Sequence, residues 1–148
     1  RQTRGRSGLG LGALLAVAAT TLAIVALPTS EGPRVAQAKG EPFSEARLAT
    51  LRAQGRPVFV YFTADWCLTC KVNERVAIDQ PQVAAAFAKG NVTTLVGDWT
   101  RSDPAITRFL TAQGRSGVPL YLYYAKGGAA VVLPQVLTPA TLTDLVNN

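Results

Sequence analysis

The most constraining feature of the sequence is a strand pattern that leads within a few residues to two closely spaced cysteines. Residues 58–62 are a nearly continuous run of β-branched and aromatic side chains. Such a run is typical of a strand covered on both faces in the middle of a sheet. Cys67 and Cys70 follow after a short loop and open a segment, 67–78, that is compatible with a helix. We therefore expect both cysteines at the junction between a central strand and a helix.

The spacing of Cys67 and Cys70 suits thiol–disulfide exchange. Two intervening residues bring both sulfurs onto one helical turn, close enough to form a bond. At a helix N-terminus, unpaired N–H groups and the helix dipole stabilise a thiolate, which is the species that attacks a disulfide. Cys67 is therefore predicted to attack, and Cys70, one turn further in, to resolve the mixed disulfide. A C-x-x-C pair beside a strand–helix junction is the redox signature of a thioredoxin-like fold.

Other uses of the two cysteines fit less well. A purely structural disulfide is possible because exported proteins commonly carry them, but a bridge that closes so short a loop constrains the unfolded chain little. Half of an intermolecular metal site would need a partner chain. The sequence has two Cys and no His, so it cannot complete a four-ligand zinc site alone or use His-based catalysis. We predict no metal and no organic cofactor, only the Cys67–Cys70 disulfide.

The N-terminal part of the chain has the pattern of a membrane segment. Residues 8–27 contain no charge, and twenty residues span roughly 30 Å as a helix, enough to cross the hydrocarbon core. Positive residues tend to stay cytoplasmic, and three arginines precede the run: Arg1, Arg4 and Arg6. We predict a cytoplasmic flank at 1–7 and a transmembrane helix at 8–27. A cleaved signal peptide with a site at Ala36-Gln37-Ala38 is the alternative; both export the rest of the chain.

Residues 28–40 read as a linker of Pro, Gly and small polar residues, and 41–148 as the folded domain. That domain has ten Lys or Arg against eight Asp or Glu, so the excess positive charge lies mostly outside it and no nucleic-acid partner is expected. The predicted architecture is α/β, a central mixed sheet of about four strands flanked by helices. Helices are expected at 44–53, 67–78, 82–89, 103–114 and 138–146, and strands at 58–62, 92–97, 119–124 and 129–133.

A resemblance to a known family becomes visible in three segments. Ala64-Asp65-Trp66-Cys67-Leu68-Thr69-Cys70-Lys71 resembles the active-site segment of the thioredoxin superfamily, and Val118-Pro119 its cis-proline loop. The chain is more closely similar to the C-terminal domain of DsbD-type transmembrane disulfide reductases, within them the ScsB-like branch. That resemblance covers about 42–148 and rests on 60–74, Gly97-Asp98-Trp99-Thr100 and Ser116-Gly117-Val118-Pro119. It implies that 8–27 is the last membrane helix before this domain.

The resemblance also implies roles for individual residues. Cys67 would be the attacking thiol and Cys70 the resolving one. Trp66 would cover the disulfide and shield it from water, although a Trp that only packs in the core is the plain alternative. Pro119 would be cis and would put the Val118 backbone beside the active site, where it pairs with an extended segment of a partner. A trans proline at the start of a strand is the commoner situation.

Proton handling is where the sequence departs from the family. The family carries a glutamate seven residues after the first cysteine, which Glu74 matches, and often a buried aspartate six residues before it, where this chain has Tyr61. Glu74 would therefore act alone, or with Asp65 or the Tyr61 hydroxyl. Alternatively, Glu74 is a surface partner of Lys71 or Arg75. Asp98-Trp99 is interpreted as a structural turn, and Tyr121, Tyr123 and Tyr124 as strand packing.

By resemblance, the chain relays electrons as a protein-disulfide reductase. A transmembrane electron carrier, on the same or another chain, would reduce the Cys67–Cys70 disulfide, and the dithiol would reduce oxidised periplasmic thioredoxin-like proteins. The expected location is the bacterial inner membrane with the domain in the periplasm, and a link to cytochrome c biogenesis follows from the same family. Two alternatives stay open: a disulfide-forming oxidase, disfavoured by the lack of His between the cysteines, and a redox-inert adaptor.

Overall fold

The computed structural model describes residues 40–147. The predicted flank at 1–7, the membrane helix at 8–27 and all of the linker except Gly40 lie outside the described residues. Within residues 40–147, no helix combines the length and apolar character that a bilayer crossing needs. The strands are β1 (Glu41–Pro42), β2 (Val58–Thr63), β3 (Thr93–Asp98), β4 (Leu120–Tyr124) and β5 (Ala130–Val132). The helices are α1 (Glu45–Ala53), α2 (Leu68–Asn73), a π-helical turn (Glu74–Ile78), α3 (Pro81–Lys89), α4 (Pro104–Ala112) and α5 (Pro139–Asn147).

The sheet is mixed, as expected, but it has five strands in the order β1-β3-β2-β4-β5. The prediction of about four strands is corrected by β1, which pairs in parallel with β3 through Glu41↔Leu95 and Pro42↔Val96. A strand of two residues is too short to show alternation, and its proline is tolerated because β1 lies at the sheet edge. β2 is parallel to β3 and antiparallel to β4, and β4 is antiparallel to β5.

β2 is the central strand that the sequence predicts, and all six of its residues are buried. Its side chains alternate between two hydrophobic clusters, one on each face of the sheet. Val58, Val60 and Phe62 pack with α1 and α4. Phe59 and Tyr61 pack with the π-helical turn, α3 and α5. Helices therefore cover both faces and leave the sheet edges and loop ends for contact with other molecules.

The strand register brings three chain segments to one end of the sheet. Thr63, the last residue of β2, lies opposite Asp98, the last residue of β3. Leu120, the first residue of β4, lies opposite Phe62. The loops after β2 and β3 and the loop before β4 therefore meet at this end.

The helix boundaries follow from local chemistry. The Ser44 side chain accepts a hydrogen bond from the Arg47 N–H at 3.1 Å, and Asp103 accepts from Ala105 and Ile106 at 2.9 and 3.0 Å. Both side chains act as N-caps, at the residues where the sequence predicts that these two helices begin. The single helix expected at 67–78 instead changes to π geometry at Glu74, where the Asp79 N–H donates to the Glu74 carbonyl at 2.7 Å. A π turn widens the helix by one residue and shifts the side chains that follow it.

Candidate active site

Cys67 and Cys70 form a disulfide with an S–S distance of 2.05 Å and a Cα–Cα distance of 5.2 Å. Cys67 is the N-cap of α2, and its Sγ accepts the Cys70 N–H at 3.2 Å. Both cysteines are buried, but Cys67 is 8% exposed whereas Cys70 is 1% exposed. The predicted attacking cysteine is therefore the more accessible of the two residues.

The disulfide is held between two loops at the end of the sheet. Ala64, the first residue after β2, accepts the Cys67 N–H at 3.1 Å and packs with both cysteines. Val118 packs against the same cluster from the loop before β4. The Val118–Pro119 peptide bond is cis, as predicted. The site thus combines a bridge at the start of α2 with the backbone of the proline loop beside it.

Glu74, four residues after Cys70 in the sequence, is buried at 3% exposure. Its carboxylate accepts from the Thr63 hydroxyl at 2.5 Å and from Lys71 Nζ at 3.2 and 3.3 Å. Lys71 Nζ also lies 3.7 Å from Asp65 Oδ1, so Lys71 bridges a buried and an exposed carboxylate. The alternative that places Glu74 at the surface is therefore wrong, although Lys71, the partner named in that alternative, does contact Glu74. A buried carboxylate is tolerated when an ion pair and a hydrogen bond replace its water.

Tyr61 is completely buried on the same face as Tyr121. Burial raises the pKa of Tyr61, and the negative charges of Glu74 and then Asp79 raise this pKa further. The hydroxyl therefore stays neutral at physiological pH and lies within electrostatic reach of Glu74. Where the family often has a second buried carboxyl, this chain has a neutral phenol.

Trp66 is 60% exposed, so the interpretation of Trp66 as a core residue is wrong. Trp66 lies between the exposed Asp65 and the buried Cys67 in the loop after β2. Its indole N–H donates to the Thr100 carbonyl at 3.2 Å, and its ring centroid lies 5.9 Å from that of Trp99. Whether Trp66 shields the disulfide stays a prediction.

Three polar residues of the site region were assigned no role in the sequence analysis. Thr63 binds Glu74, Thr100 binds the loop before Cys67, and Asn73 is buried between α2 and the segment before α5. Asp98-x-Thr100 is a sequence that favours a side-chain turn, so Thr100 had a local signal. Thr63 and Asn73 had none, because their partners come from distant parts of the chain.

Comparison with known proteins places this geometry in a family. A sequence-family profile described as thioredoxin-like matches residues 39–126, more than half of the chain. The chain belongs to the thioredoxin-like family. Beyond the family match, this thioredoxin-like chain is 37% identical over 84 residues to Thiol:disulfide interchange protein DsbD 1 of Pseudomonas aeruginosa, over 57% of the chain and 14% of that protein. It is 31% identical over 80 residues to the DsbD of Escherichia coli K12, over 54% of the chain and 14% of that protein.

Solved structures agree on the fold of the thioredoxin-like domain. The oxidised C-terminal domain of DsbD from Neisseria meningitidis superposes with a TM-score of 0.59 at 22% identity, covering 72% of this chain and 97% of that domain. A thioredoxin from Thermus thermophilus gives a TM-score of 0.55 at 17% identity, covering 74% of this chain and 85% of the other. At these identities the superpositions establish the fold alone.

The sequence matches confirm the predicted resemblance to DsbD-type proteins, and the name of these relatives, thiol:disulfide interchange protein, agrees with the predicted disulfide oxidoreductase class. The chain spans about 14% of the length of the curated relatives that it matches. The ScsB-like branch and the preceding membrane helix stay predictions. The redox group of the thioredoxin-like domain is the Cys67–Cys70 disulfide itself. Across residues 40–147, no group of three or more His, Cys, Asp or Glu side chains is arranged to hold a metal ion.

Proposed function

We propose that this chain is an extracytoplasmic thiol:disulfide reductase domain that passes electrons from a membrane carrier to oxidised periplasmic proteins. One observation carries the proposal. A disulfide lies at the start of α2, with Cys67 8% exposed and Cys70 1% exposed, in a domain related in sequence to a thiol:disulfide interchange protein. That arrangement suits two successive exchanges through Cys67, with Cys70 kept for the intramolecular step.

In the first exchange the domain is reduced. A thiolate of the carrier attacks Cys67 Sγ, the Cys67–Cys70 bond breaks, and Cys70 leaves as a thiolate that takes up a proton. The second thiolate of the carrier then attacks the mixed disulfide, which releases Cys67 as a thiolate and leaves the carrier oxidised. Two electrons have moved from the carrier to the domain.

In the second exchange the domain is oxidised again. The Cys67 thiolate attacks a partner disulfide, and the departing partner sulfur is protonated. Cys70 loses its proton and attacks Cys67 Sγ, which restores the bridge and releases the reduced partner. Both steps need a group near Cys70 that accepts and donates a proton, and we assign this role to Glu74. Thr63 and Lys71 hold the carboxylate of Glu74 in place. Tyr61 supplies a neutral hydroxyl near Glu74, and Asp65 acts through Lys71.

The surface around Cys67 supports a protein as the partner. Trp66 and Leu68, on either side of Cys67 in the sequence, are 60% and 78% exposed. Exposed aromatic and aliphatic side chains beside a reacting atom favour macromolecular partners. We assign the Val118 backbone to pairing with an extended partner segment and Trp66 to covering the bridge. By relationship to DsbD, the partners are periplasmic thioredoxin-like proteins.

The proposed location follows from the sequence outside the described residues. A helix at 8–27 would hold the domain at the inner membrane with 28–40 as its tether, and 1–7 in the cytoplasm. The carrier would lie on the same chain or on another one. The division at residue 41 and the link to cytochrome c biogenesis stay predictions.

Trapping tests the exchange mechanism. The full chain carrying Cys70→Ala should accumulate disulfide-linked complexes with extracytoplasmic proteins, because the mixed disulfide at Cys67 can no longer be resolved. Cys67→Ala/Cys70→Ala is the matched control and should trap nothing. A redox-inert adaptor would give no reducible complexes in either variant and would sink the proposal.

The direction of electron flow is tested by the reduction potential. Relatives in this superfamily span about −270 mV for reductants to about −120 mV for oxidants. We expect equilibration with glutathione to place the Cys67–Cys70 couple nearer the reducing end. A value at the oxidising end would replace the reductase by the oxidase alternative while leaving the exchange chemistry intact.

A further inference from the structure

The loop after β3 lies against the loop that carries the cysteines. Thr63 and Asp98 are opposite each other at the ends of β2 and β3, and the Trp99 N–H donates to the Thr63 carbonyl at 2.8 Å. The two loops therefore leave the sheet side by side. Asp98, the last residue of β3, and the two loop residues Trp99 and Thr100 form the 98–100 segment.

Thr100 binds both residues that precede Cys67. Its Oγ1 accepts the Asp65 N–H at 2.9 Å, and its carbonyl accepts the Trp66 indole N–H at 3.2 Å. Asp98 Oδ1 accepts from the Thr100 N–H at 2.9 Å and from its hydroxyl at 2.5 Å. A hydroxyl has one proton, and because that proton goes to Asp98 the oxygen is left to accept from Asp65. The carboxylate of Asp98 thereby fixes the orientation of Thr100.

Trp99 extends the same support to the proline loop. Its indole N–H donates to Thr107 Oγ1 of α4 at 2.8 Å, which fixes the ring. The ring is tilted by 58° against that of Trp66, with the centroids 5.9 Å apart. The Trp99 ring also approaches Gly117 so closely that an added Cβ there would lie 3.3 Å from Trp99 Cζ3. Val118, the next residue, packs against the disulfide. The 98–100 segment therefore touches the chain on both sides of Cys67–Cys70.

Trp66 depends on this support because little else surrounds it. A side chain that is 60% exposed is free to sample several rotamers unless a specific contact holds it, and ordering it on binding then costs free energy.

The hydrogen bonds from Thr100 also keep the pKa of Asp98 below its usual range, so Asp98 is an acceptor at neutral pH.

We propose that Asp98 and Thr100 are positioning residues that hold Trp66 beside Cys67 in the orientation that a protein partner meets, and so promote capture of protein disulfides over small ones. The inference rests on the proposed exchange function, but it concerns a different step. None of the hydrogen bonds described for Asp98 and Thr100 involves a sulfur atom. Substitutions at these residues should therefore leave the chemistry of the disulfide unchanged and alter only how a large partner docks.

The test uses the full chain with three substitutions at threonine. Thr100→Val removes the hydroxyl and keeps the shape, Thr100→Ser restores the hydroxyl, and Thr111→Val is the matched control on an exposed position of α4. Each reduced protein is mixed with oxidised insulin as the protein disulfide and with DTNB as the small one. For Thr100→Val we expect the ratio of the insulin rate to the DTNB rate to fall roughly three- to tenfold. This is the range expected when one side chain, here Trp66, must be ordered on binding. Thr100→Ser and Thr111→Val should stay within about twofold of the wild type.

A spectroscopic measurement makes the role of Trp66 visible directly. The chain has two Trp residues, so 5-fluorotryptophan labelling gives two ¹⁹F signals, assigned with Trp66→Phe. Thr100→Val and Asp98→Ala should shift and narrow the Trp66 signal as the ring becomes mobile, whereas Thr111→Val should not. The reduction potential should stay at the wild-type value in every folded variant, which a general disturbance of the site would not allow.

An unchanged Trp66 signal together with an unchanged rate ratio in Thr100→Val would overturn the inference. Equal losses toward insulin and DTNB would do the same, because they would indicate damage to the disulfide rather than to docking. If the wild-type chain reduces no insulin, the proposed function is in question on its own account, and the positioning role is then judged on the ¹⁹F signal alone.

Discussion

Asn73 shows how one buried polar side chain joins two distant parts of this domain. Its Nδ2 donates to the Tyr121 hydroxyl at 2.9 Å and to the Gln135 carbonyl at 2.6 Å, and its Oδ1 accepts the Leu137 N–H at 3.1 Å. The residue is 2% exposed. Because Asn73 lies one turn after Cys70, these bonds fix the helix that carries the disulfide against the segment before α5.

Replacing Asn73 by Ala should therefore destabilise the domain. The Leu137 N–H would be left buried without its acceptor, and Tyr121 and Gln135 would lose a donor. With about 1–3 kcal/mol for each unsatisfied buried group, part of it recovered by water, we expect a loss of roughly 2–4 kcal/mol in the free energy of unfolding. Urea unfolding measures this. Thr50→Ala, which removes an exposed hydroxyl bond on α1, should change it by less than about 0.5 kcal/mol.

Tyr61 makes stability sensitive to alkaline pH. Its pKa is raised in the folded domain by burial, then by the charges of Glu74 and Asp79. The folded state therefore binds the proton more tightly than the unfolded state does. The resulting stability is fully present below the unfolded tyrosine pKa of about 10 and is lost as pH rises above it, by about 1.4 kcal/mol per pH unit.

Between about pH 10 and pH 11, the free energy of unfolding of Tyr61→Phe should fall by roughly 1 kcal/mol less than that of the wild type. Tyr123→Phe is the matched control, since burial alone raises the pKa of Tyr123, and it should change the slope less. The observable is the pH slope in urea titrations, so a general loss of stability from the missing hydroxyl does not mimic it. Parallel curves for Tyr61→Phe and the wild type would contradict the assignment.

At the residue scale, the sequence predicts what depends on local spacing. Cys67 and Cys70 were found because two intervening residues fix their separation, and the cis peptide before Pro119 was found by resemblance. The burial of Glu74 and the exposure of Trp66 depend on how loops from β2 and β3 meet, which no local pattern encodes. Thr63 became visible only with the fold, since its partner Glu74 lies eleven residues away in another element.

Among the elements, β2 and β3 show a close fit between a ring and a glycine. Phe62 pairs with Gly97 in the parallel register, and its ring occupies the space where a Cβ on Gly97 would lie. Glycine in a strand interior often marks such an approach. The glycine therefore lets the ring of Phe62 lie over β3, one residue before the end of β2.

Gly97→Ala should force Phe62 out of its position. Overpacking of this kind typically costs about 1–3 kcal/mol, so the midpoint of thermal unfolding should fall by several degrees, roughly 4–8 °C per kcal/mol for a domain of this size. Gly127→Ala, at a turn glycine with φ +68 and no atom within 4 Å of the added Cβ, measures backbone strain alone. If both substitutions cost the same, contact with Phe62 is not what Gly97 provides.

The predicted elements agree with the structure wherever periodicity and caps are strong. The strand at 58–62 is β2 with one more residue, and the helix expected from Asp103 is α4 with that aspartate as its N-cap. The elements missed are those without a pattern. β1 has two residues, and the π turn at Glu74 replaces ordinary helix without any glycine or proline to mark it.

For the molecule as a whole, the disulfide contributes little to the fold. The bridge closes a loop with two intervening residues, and the chain-entropy relation gives about 2 kcal/mol for so small a loop. The hydrophobic clusters on both faces of the sheet do not depend on it, although Ala64 and Val118 pack around it. The domain should therefore stay folded in both redox states, as the proposed exchange function requires.

Reduction with dithiothreitol should lower the free energy of unfolding by about 2 kcal/mol or less and leave the far-ultraviolet circular dichroism unchanged. The double variant Cys67→Ser/Cys70→Ser should match the reduced wild type. Loss of cooperative unfolding on reduction would mean instead that the bridge is a structural staple, and would favour the redox-inert adaptor.

The unequal exposure of the two cysteines also bears on oxidative damage. Hydrogen peroxide that diffuses to the reduced site should oxidise the Cys67 thiolate to a sulfenic acid, because Cys70 is only 1% exposed. Cys70 lies within the same helical turn and should condense with this sulfenic acid before a second peroxide molecule reacts. The irreversible sulfinic acid is thereby avoided. An accidental oxidation would thus end in the Cys67–Cys70 disulfide, which the proposed carrier can reduce again.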